Sequence, residues 1–246
     1  MIKLLYNDKF LVLCVKPVGV LSEPFSREKN MVEMLQKETR VYKIDVIHRL
    51  DRNVGGVMVY SKSRKATEVL AKMMASHSFE KEYLAVVEGN PAAKGTMEDY
   101  LIKDKNKCKV FVSKKDNNDA KYAKLDYTVL GQKNGLSLVK IKLYTGRTHQ
   151  IRVQFASRGF PIVGDTKYGT QDTKDNGKTP IALFSYRLSF LHPITKKPVE
   201  GFELPPPSSK FWLFKKELIE LEKERTVKRD LVENCYDNKT IHSSNN

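Results

Sequence analysis

The distribution of apolar and polar positions along the chain predicts a protein that consists mainly of strands. Apolar runs and strict alternation predict strands, because successive side chains of a strand point to opposite faces of a sheet. Between residues 136 and 144, Val139, Ile141 and Leu143 alternate with lysines, which indicates one buried and one solvated face. Strands are predicted at residues 10–15, 57–60, 81–88, 125–130, 136–144 and 181–190.

Helical spacing occurs between several of these strands. Residues 64–76 carry apolar side chains at three- and four-residue steps, so one face of this helix is apolar, and Ser63 is a suitable N-cap. The pattern of residues 148–158 predicts a second helix, with Thr148 as its N-cap and Gly159 at its end. Similar spacing is present at Met31, Met34 and Leu35, and again at Phe211, Phe214, Leu218 and Leu221.

The order of these elements predicts an α+β fold. Short connections between successive strands favour hairpins over parallel crossovers, so we expect a mostly antiparallel mixed sheet with flanking helices around a central cleft. Residues 1–221 are expected to form one domain. Residues 222–246 are polar and are expected to be a partly disordered C-terminal extension.

The charge balance points to a polyanionic partner. Lys and Arg outnumber Asp and Glu by 44 to 29, which gives a net charge of +15. Residues 222–246 carry five basic and five acidic side chains, so the excess belongs to the preceding domain. Such an excess attracts nucleic acid, although a lysine-rich background or an anionic membrane surface would also account for it. The lysine-rich residues 103–124 either contact phosphates or form a solvated edge hairpin.

Other classes of protein are less compatible with the sequence. No apolar run approaches the ~20 residues of a membrane span, and the N-terminus lacks a secretory signal, so we expect a cytoplasmic protein. Cys14, Cys108 and Cys235 show neither a disulfide pattern nor a zinc-binding spacing, so free thiols and no structural metal are expected. A monomer is the default expectation.

Two segments carry candidate chemistry. Asp51 lies between Arg49 and Arg52, which favour its ionised form, although surface clusters of this kind are common. Residues 146–152 place an arginine, a histidine and a glutamine at the start of a predicted helix, where free N–H groups favour an anion. Arg147 and Arg152 are five positions apart and cannot share one line down the helix, so at least one is free to reach a separate partner.

Together these segments resemble RluA-family pseudouridine synthases. Residues 48–52 (His-Arg-Leu-Asp-Arg), 81–89 (Lys-Glu-Tyr-Leu-Ala-Val-Val-Glu-Gly) and 146–152 (Gly-Arg-Thr-His-Gln-Ile-Arg) resemble the three signature segments of that family, in the same order. The resemblance extends to an early turn at residues 16–19, to residues 159–169 and to residues 191–207. It implies the pseudouridine synthase catalytic fold for residues 1–221, with an RNA-binding cleft.

The chain departs from the family pattern in two respects. Relatives usually continue after the Asp–Lys/Arg pair with Asp-Thr-Ser-Gly, whereas this chain has Asn-Val-Gly-Gly at residues 53–56 and loses a carboxylate and two hydroxyls. We interpret this as altered support of the loop and not as lost activity. Many relatives also carry a small N-terminal RNA-binding domain. None is expected here, because the catalytic pattern starts within the first few residues.

The resemblance implies a role for three residues in the isomerisation of uridine to pseudouridine. Asp51 is the catalytic carboxylate that enables cleavage of the N-glycosidic bond, after which the uracil turns and rejoins the ribose through carbon. Attack on the anomeric carbon and removal of a sugar proton both remain open. Tyr83 packs on the target base and is a candidate for removing the proton from the newly bonded carbon. Arg147 is the expected ion-pair partner of Asp51.

The expected substrate is structured ribosomal or transfer RNA. Its candidate contacts are His48, Arg49, Arg52, Thr148, His149, Gln150 and Arg152. An isomerisation requires no redox cofactor, nucleotide or metal. A non-catalytic RNA-binding or ribosome-assembly protein is the alternative, which the altered loop favours and the retention of Asp51, Tyr83 and Arg147 disfavours. A nuclease or phosphatase would need metal carboxylates or a nucleophile–base pair that the sequence does not offer.

Overall fold

Eleven strands form one mixed sheet in the computed structural model, which describes residues 1–25, 27–104, 106–169 and 180–226. The strands are β1 (Leu4–Asn7), β2 (Leu11–Lys16), β3 (Asp45–Val46), β4 (Gly55–Ser61), β5 (Glu80–Glu88), β6 (Lys94–Asp104), β7 (Lys109–Ser113), β8 (Lys121–Lys133), β9 (Leu136–Leu143), β10 (Leu183–Leu191) and β11 (Pro198–Phe202). Their order is β1-β2-β4-β10-β5-β9-β8-β6-β7, with β3 paired to β4 and β11 to β10. Of these pairings, β4–β10 is parallel and the others are antiparallel.

Helices lie between the strands. They are α1 (Met31–Thr39), α2 (Arg64–Ala75), α3 (Gln150–Ala156) and α4 (residues 215–226), and a 3-10 turn at Lys210–Phe214 leads into α4. The predicted cap of α2 is confirmed, since the Ser63 hydroxyl accepts a hydrogen bond from the Ala66 N–H at 3.3 Å. The α+β class and the predominance of antiparallel pairing are confirmed as well.

The central strands are buried on both faces. In β2, Leu11 and Leu13 belong to an apolar cluster that includes Leu70 of α2. The alternate residues of β2 belong to a larger cluster on the other face, which includes Leu35 of α1. In β4, Val57 and Val59 belong to the cluster with Leu70, whereas Met58 and Tyr60 belong to the larger cluster with Leu35. Because both faces are covered, these strands show as continuous apolar runs in the sequence.

Strands β1 and β11 were not predicted from the sequence, and neither were the neighbouring strands β6 and β7. They include the start of the lysine-rich segment, and residues 103–124 contain eight lysines and three aspartates. Strand β7 lies at the edge of the sheet, and only Val110 of its five residues is buried. This part of the segment therefore forms an edge hairpin, and contact of its lysines with phosphates stays a prediction.

The predicted domain boundary at residues 221 and 222 falls inside a helix. Helix α4 continues to residue 226, and Arg225 donates to Glu200 at 2.8 Å. The rest of the predicted extension and Cys235 lie outside the described residues, whereas Cys14 is a buried free thiol. Within the described ranges, no helix is long and apolar enough to cross a membrane.

A glycine allows the parallel junction between β4 and β10. Gly56 lies opposite Ser185 with a φ of 126°, and a Cβ at Gly56 would lie 2.2 Å from the Ser185 carbonyl oxygen. We expect Gly56→Ala to lower the free energy of unfolding by about 3 kcal/mol or more, because strain and a backbone clash add. Urea denaturation measures the loss.

Gly135→Ala is the matched control for this substitution. Gly135 also has a positive φ, 71°, but a Cβ there would have no neighbour within 4 Å. Only the left-handed strain remains, which costs about 1–2 kcal/mol. Equal losses for the two variants would show that the contact with Ser185 does not determine the junction.

Candidate active site

The loop that carries Asp51 connects β3 to β4 and is anchored on both sides. The His48 ring accepts a hydrogen bond from the Val59 N–H through Nε2 at 3.2 Å. Burial lowers the pKa of His48 to about 3, with a further contribution from Lys81, so this ring is neutral at pH 7. The Ser22 hydroxyl donates to the Leu50 carbonyl at 2.8 Å and accepts from the Leu50 N–H at 3.0 Å.

Backbone groups and the side chain of Lys16 hold the loop at Asp51 and Arg52. The Val54 N–H donates to the Asp51 carbonyl at 3.0 Å, and the Gly19 N–H donates to the Arg52 carbonyl at 2.8 Å. The ammonium of Lys16 donates to the carbonyls of Pro17, Val20 and Arg52 at 2.7 to 3.1 Å. The early turn at residues 16–19 therefore binds the loop and stabilises its position.

The carboxylate of Asp51 is held by Arg152. Nη1 of Arg152 donates to Asp51 at 2.6 Å, while Nε and Nη2 donate to the two oxygens of Asp165 at 2.8 Å each. Burial lowers the pKa of Arg152, but the hydrogen bonds and charges of Asp165 and Asp51 outweigh burial and raise it. One guanidinium thus joins two carboxylates.

The prediction that Arg147 pairs with Asp51 is wrong. Arg147 is exposed, and its Nε donates to the Tyr122 carbonyl at 2.9 Å. Helix α3 begins only at Gln150, so Arg147 lies in the loop before the helix, while Arg152 lies in its first turn. From the five-residue spacing, either arginine could have reached a separate partner. Because the helix starts at Gln150, Arg152 is the one that reaches Asp51.

The start of α3 also differs from the prediction. His149, with a φ of 53°, precedes the helix as its N-cap residue, and Thr148 is exposed and does not cap it. Nδ1 of His149 lies 2.8 Å from the Tyr168 hydroxyl, and Nε2 lies 3.7 Å from Asp51. Burial lowers the pKa of His149 more than Asp51 raises it, so the ring is neutral at pH 7.

Gln150 shapes the loop before α3 from the inside. Its side-chain oxygen accepts hydrogen bonds from the Thr145 hydroxyl at 2.8 Å and from the Arg147 N–H at 3.0 Å. Its amide nitrogen donates to the Lys124 carbonyl at 3.2 Å. Because Gln150 is buried and its amide is used in this way, its contacts stabilise the loop, and its contact with RNA stays a prediction.

Asp51 lines a cavity of about 700 Å³, a volume within the range of ligand sites. Other residues that line it are His48, Arg49, Lys81, Tyr83, Arg147, Thr148 and His149. Burial raises the pKa of Tyr83 to about 12, against a hydrogen bond with Ser185 that lowers it, so the phenol is neutral at pH 7. A carboxylate and a buried aromatic ring therefore face the same space.

The two arginines that flank Asp51 are exposed. Arg49 forms an ion pair with Glu23 at 2.6 Å, and Arg52 forms one with Glu28 at 2.7 Å. Arg49 lines the cavity, whereas Arg52 faces the turn at residues 16–19 and donates to the Gly19 carbonyl at 3.2 Å. Exposed ion pairs are weak, so both guanidinium groups can exchange partners.

Three buried charged residues near Asp51 were not identified as site residues from the sequence. Asp165, Lys16 and Lys81 are buried charged residues around Asp51. Lys16 and Asp165 lie in segments that resemble the family, and Lys81 opens the second signature segment. The resemblance therefore pointed to their segments, but the sequence did not show which groups these side chains contact. The residues that the structure describes contain no group of three His, Cys, Asp or Glu side chains that could hold a metal.

Comparisons with known proteins identify similar chains. The family described as RNA pseudouridylate synthase matches residues 10–157. Ribosomal large subunit pseudouridine synthase D of Borreliella burgdorferi is 32% identical over 199 residues, which cover 76% of this chain and 60% of the relative. An uncharacterized RNA pseudouridine synthase of Bacillus subtilis is 36% identical over 213 residues, with 82% of this chain and 68% of the relative covered.

The chain thus spans about 60% of the length of the Borreliella relative. Among solved structures, human RNA Pseudouridylate Synthase Domain Containing 1 has the same fold, with a TM-score of 0.70 at 21% identity and 84% of each chain covered.

The ion pairs of Arg152 predict different effects for the two arginines on stability. Asp165 is fully buried, so Arg152→Ala leaves a buried carboxylate without its partner. We expect a loss of about 3–5 kcal/mol in the free energy of unfolding. Arg147→Ala removes one exposed contact and is expected to cost at most about 1 kcal/mol. Urea denaturation of both variants tests this ranking, and a reversed order would contradict the assignment of Arg152.

Proposed function

Because the chain belongs to the RNA pseudouridylate synthase family, we propose that it isomerises specific uridines to pseudouridine in structured RNA, with Asp51 as the catalytic carboxylate. The observation that carries this proposal is the position of Asp51. It lies in the wall of a cavity of about 700 Å³, fixed by Arg152 and accompanied by Tyr83.

The reaction requires the target nucleotide to leave the RNA stack. A stacked base cannot present its glycosidic bond to a side chain, so the uridine is extruded into the cavity at a cost of a few kcal/mol. Arg152 orients Asp51, since a planar guanidinium determines the direction of the carboxylate that it holds. Asp51 then attacks the anomeric carbon or removes a sugar proton, and both routes begin from the same oriented carboxylate.

Tyr83 is placed to hold the uracil. Its ring is buried on β5 and lines the cavity with Asp51, and aromatic rings pack favourably on bases. Its neutral phenol supports a role in packing on the base during the reaction. Removal of the proton from the newly bonded carbon by Tyr83 would require an acceptor for the phenolic proton.

The remaining predicted contacts divide by exposure. Arg49, Arg52 and Thr148 are exposed and are proposed to contact the RNA around the target nucleotide. His149 is proposed to contact the nucleotide inside the cavity. Arg147, which was predicted to hold Asp51, joins this group of RNA contacts.

Ribosomal RNA of the large subunit is the substrate that we favour over transfer RNA. The Borreliella relative is named for the ribosomal large subunit, and the net charge of +15 fits a large polyanion. An isomerisation leaves the composition of uridine unchanged, so we propose a reaction without cofactor or metal. A cytoplasmic location and a monomeric state remain predictions.

Asp51→Asn tests the catalytic role. We expect turnover to fall by about three orders of magnitude or more, as is usual when the reacting side chain is removed. Folding should be retained, because Arg152 keeps its contacts with Asp165. The assay incubates the protein with unmodified transcripts of large-subunit ribosomal RNA and of transfer RNAs, and pseudouridine is then mapped at single-nucleotide resolution.

Asp116→Asn is the matched control, since it removes the same charge from an exposed loop. It should be as active as the unmodified protein. If the protein binds these RNAs but forms no pseudouridine in any of them, a non-catalytic RNA-binding function is supported and the proposal is contradicted. Modification of a transfer RNA alone would keep the activity and overturn the preferred substrate.

A further inference from the structure

The ammonium of Lys81 lies in the wall of the Asp51 cavity and forms no ion pair with the residues that the structure describes. Lys81 is 5% exposed and lines the cavity from β5. Its Nζ lies 3.9 Å from the sulfur of Met74, a weak acceptor, and has no oxygen partner among the residues that the structure describes. The catalytic roles assigned above do not use this charge.

Two carboxylates line the same cavity as Lys81, but Asp51 forms its ion pair with Arg152 and Glu23 forms its ion pair with Arg49. The cavity also contains a second cation, Arg147, and a Cβ at its neighbour Gly146 would lie 3.8 Å from Nζ of Lys81. Burial lowers the pKa of Lys81, and the guanidinium of Arg147 lowers it further. Glu80 and Glu82, the neighbours of Lys81 on β5, both pair with Arg187. They lie on the other face of the strand, because side chains alternate along it.

This arrangement is unusual within the molecule itself. The two other buried cations of this region are matched, Arg152 by two carboxylates and Lys16 by three carbonyls. A buried charge without a partner is unfavourable and is normally paired. A ligand that brings a negative charge into the cavity would supply the missing partner.

The spacing along β5 indicates which part of a nucleotide this charge would meet. Lys81 and Tyr83 are two residues apart on one face of the strand, and both line the cavity. Their backbone positions are therefore separated by about 7 Å. In a nucleotide, the ribose similarly separates the base from the phosphate. A uracil against Tyr83 thus places a neighbouring phosphate near Lys81 and Arg147.

We propose that Lys81 and Arg147 form a binding subsite for a phosphate that flanks the target uridine. The subsite rests on the proposed function, because its ligand is the RNA chain of the extruded nucleotide. Lys81 gives the buried contact, and Arg147 gives a guanidinium whose exposed position allows it to reach the same phosphate.

The test combines a protein variant with a modified RNA. The RNA is a stem–loop of ribosomal RNA that the protein binds, centred on the modified uridine where one has been mapped. The 5′ or the 3′ phosphate of its loop uridine is replaced by a neutral methylphosphonate. Lys81→Met is expected to raise the KM and the Kd of the unmodified stem–loop by about 10- to 100-fold, with little change in kcat. One of the two methylphosphonate RNAs should show a similar loss with the unmodified protein.

The two changes should not add. In the Lys81→Met variant the ammonium is already absent, so neutralising the phosphate removes no further contact. The variant and the modified RNA together should therefore bind about as weakly as either change alone. If the losses multiply for both phosphate positions, Lys81 does not contact a flanking phosphate and the proposal is overturned. A Kd for Lys81→Met equal to that of the unmodified protein would overturn it as well.

Stability separates binding from a structural role. Methionine fills the space of the lysine stem without its charge, so Lys81→Met should unfold at the same or a higher urea concentration. A lower midpoint would indicate that the ammonium stabilises the fold and would contradict the subsite. Lys133→Met, at an exposed position outside the cavity, controls for general loss of positive charge and should change the Kd less than twofold.

The proposed function and the subsite fail in different ways. A protein that binds the stem–loop but does not isomerise its uridine contradicts the proposed function, while the Kd values still decide whether Lys81 contacts a phosphate. A protein that isomerises the uridine with additive losses contradicts the subsite alone.

Discussion

A guanidinium shared between two carboxylates determines the geometry of the Asp51 region. Arg152 is held by Asp165 through two hydrogen bonds and holds Asp51 through a third. The Asp165 side chain is fully buried and that of Asp51 is 30% exposed, so the two carboxylates have different roles. Asp165 depends on Arg152 for its charge, because a buried carboxylate without a partner would become neutral. Arg152 thus joins a buried carboxylate, which it stabilises, to a partly exposed one that lines the cavity.

The sheet brings this arrangement together from distant parts of the chain. Asp51 and Arg152 are 101 positions apart, one after the short strand β3 and the other in the helix that follows β9. The segment that carries Asp165 is attached to β5, since the Val163 N–H donates to the Val86 carbonyl and the Glu88 N–H donates to the Pro161 carbonyl. Strand β5 also carries Tyr83. Asp165, and through it Arg152, is therefore positioned by the same rigid strand that positions the ring in the cavity.

The sequence predicted the elements whose burial is regular. Strands β2 and β4 are apolar on both faces and were recognised as runs, and β9 was recognised by its alternation. Strands β6 and β7 were missed because an edge hairpin buries few side chains and its lysines resemble those of a loop. Propensity and patterning do not report pairing at a solvated edge.

The sequence predicted which segments form the candidate site better than it predicted the contacts between their side chains. The segments around Asp51, Tyr83 and residues 146–152 do meet at one cavity. The error at Arg147 has a local cause, since the left-handed backbone of His149 delays the start of α3 to Gln150. That delay leaves Arg147 in a loop and places Arg152 on the turn that faces Asp51. Asp165 and Lys81 were missed because the sequence does not show which distant group a buried charge faces.

The buried cations near Asp51 differ in their partners. Two of them bind groups of the protein, whereas the third is proposed to bind the substrate. The charges of Lys16 and Arg152 are satisfied by the loop and by the carboxylates that they hold, so they determine positions within the protein. Those contacts are complete before any ligand enters. The charge of Lys81 is not matched in this way, and removing it would relieve an unfavourable burial. An anion that enters the cavity would offset the cost of burying this cation, which no contact within the described residues offsets.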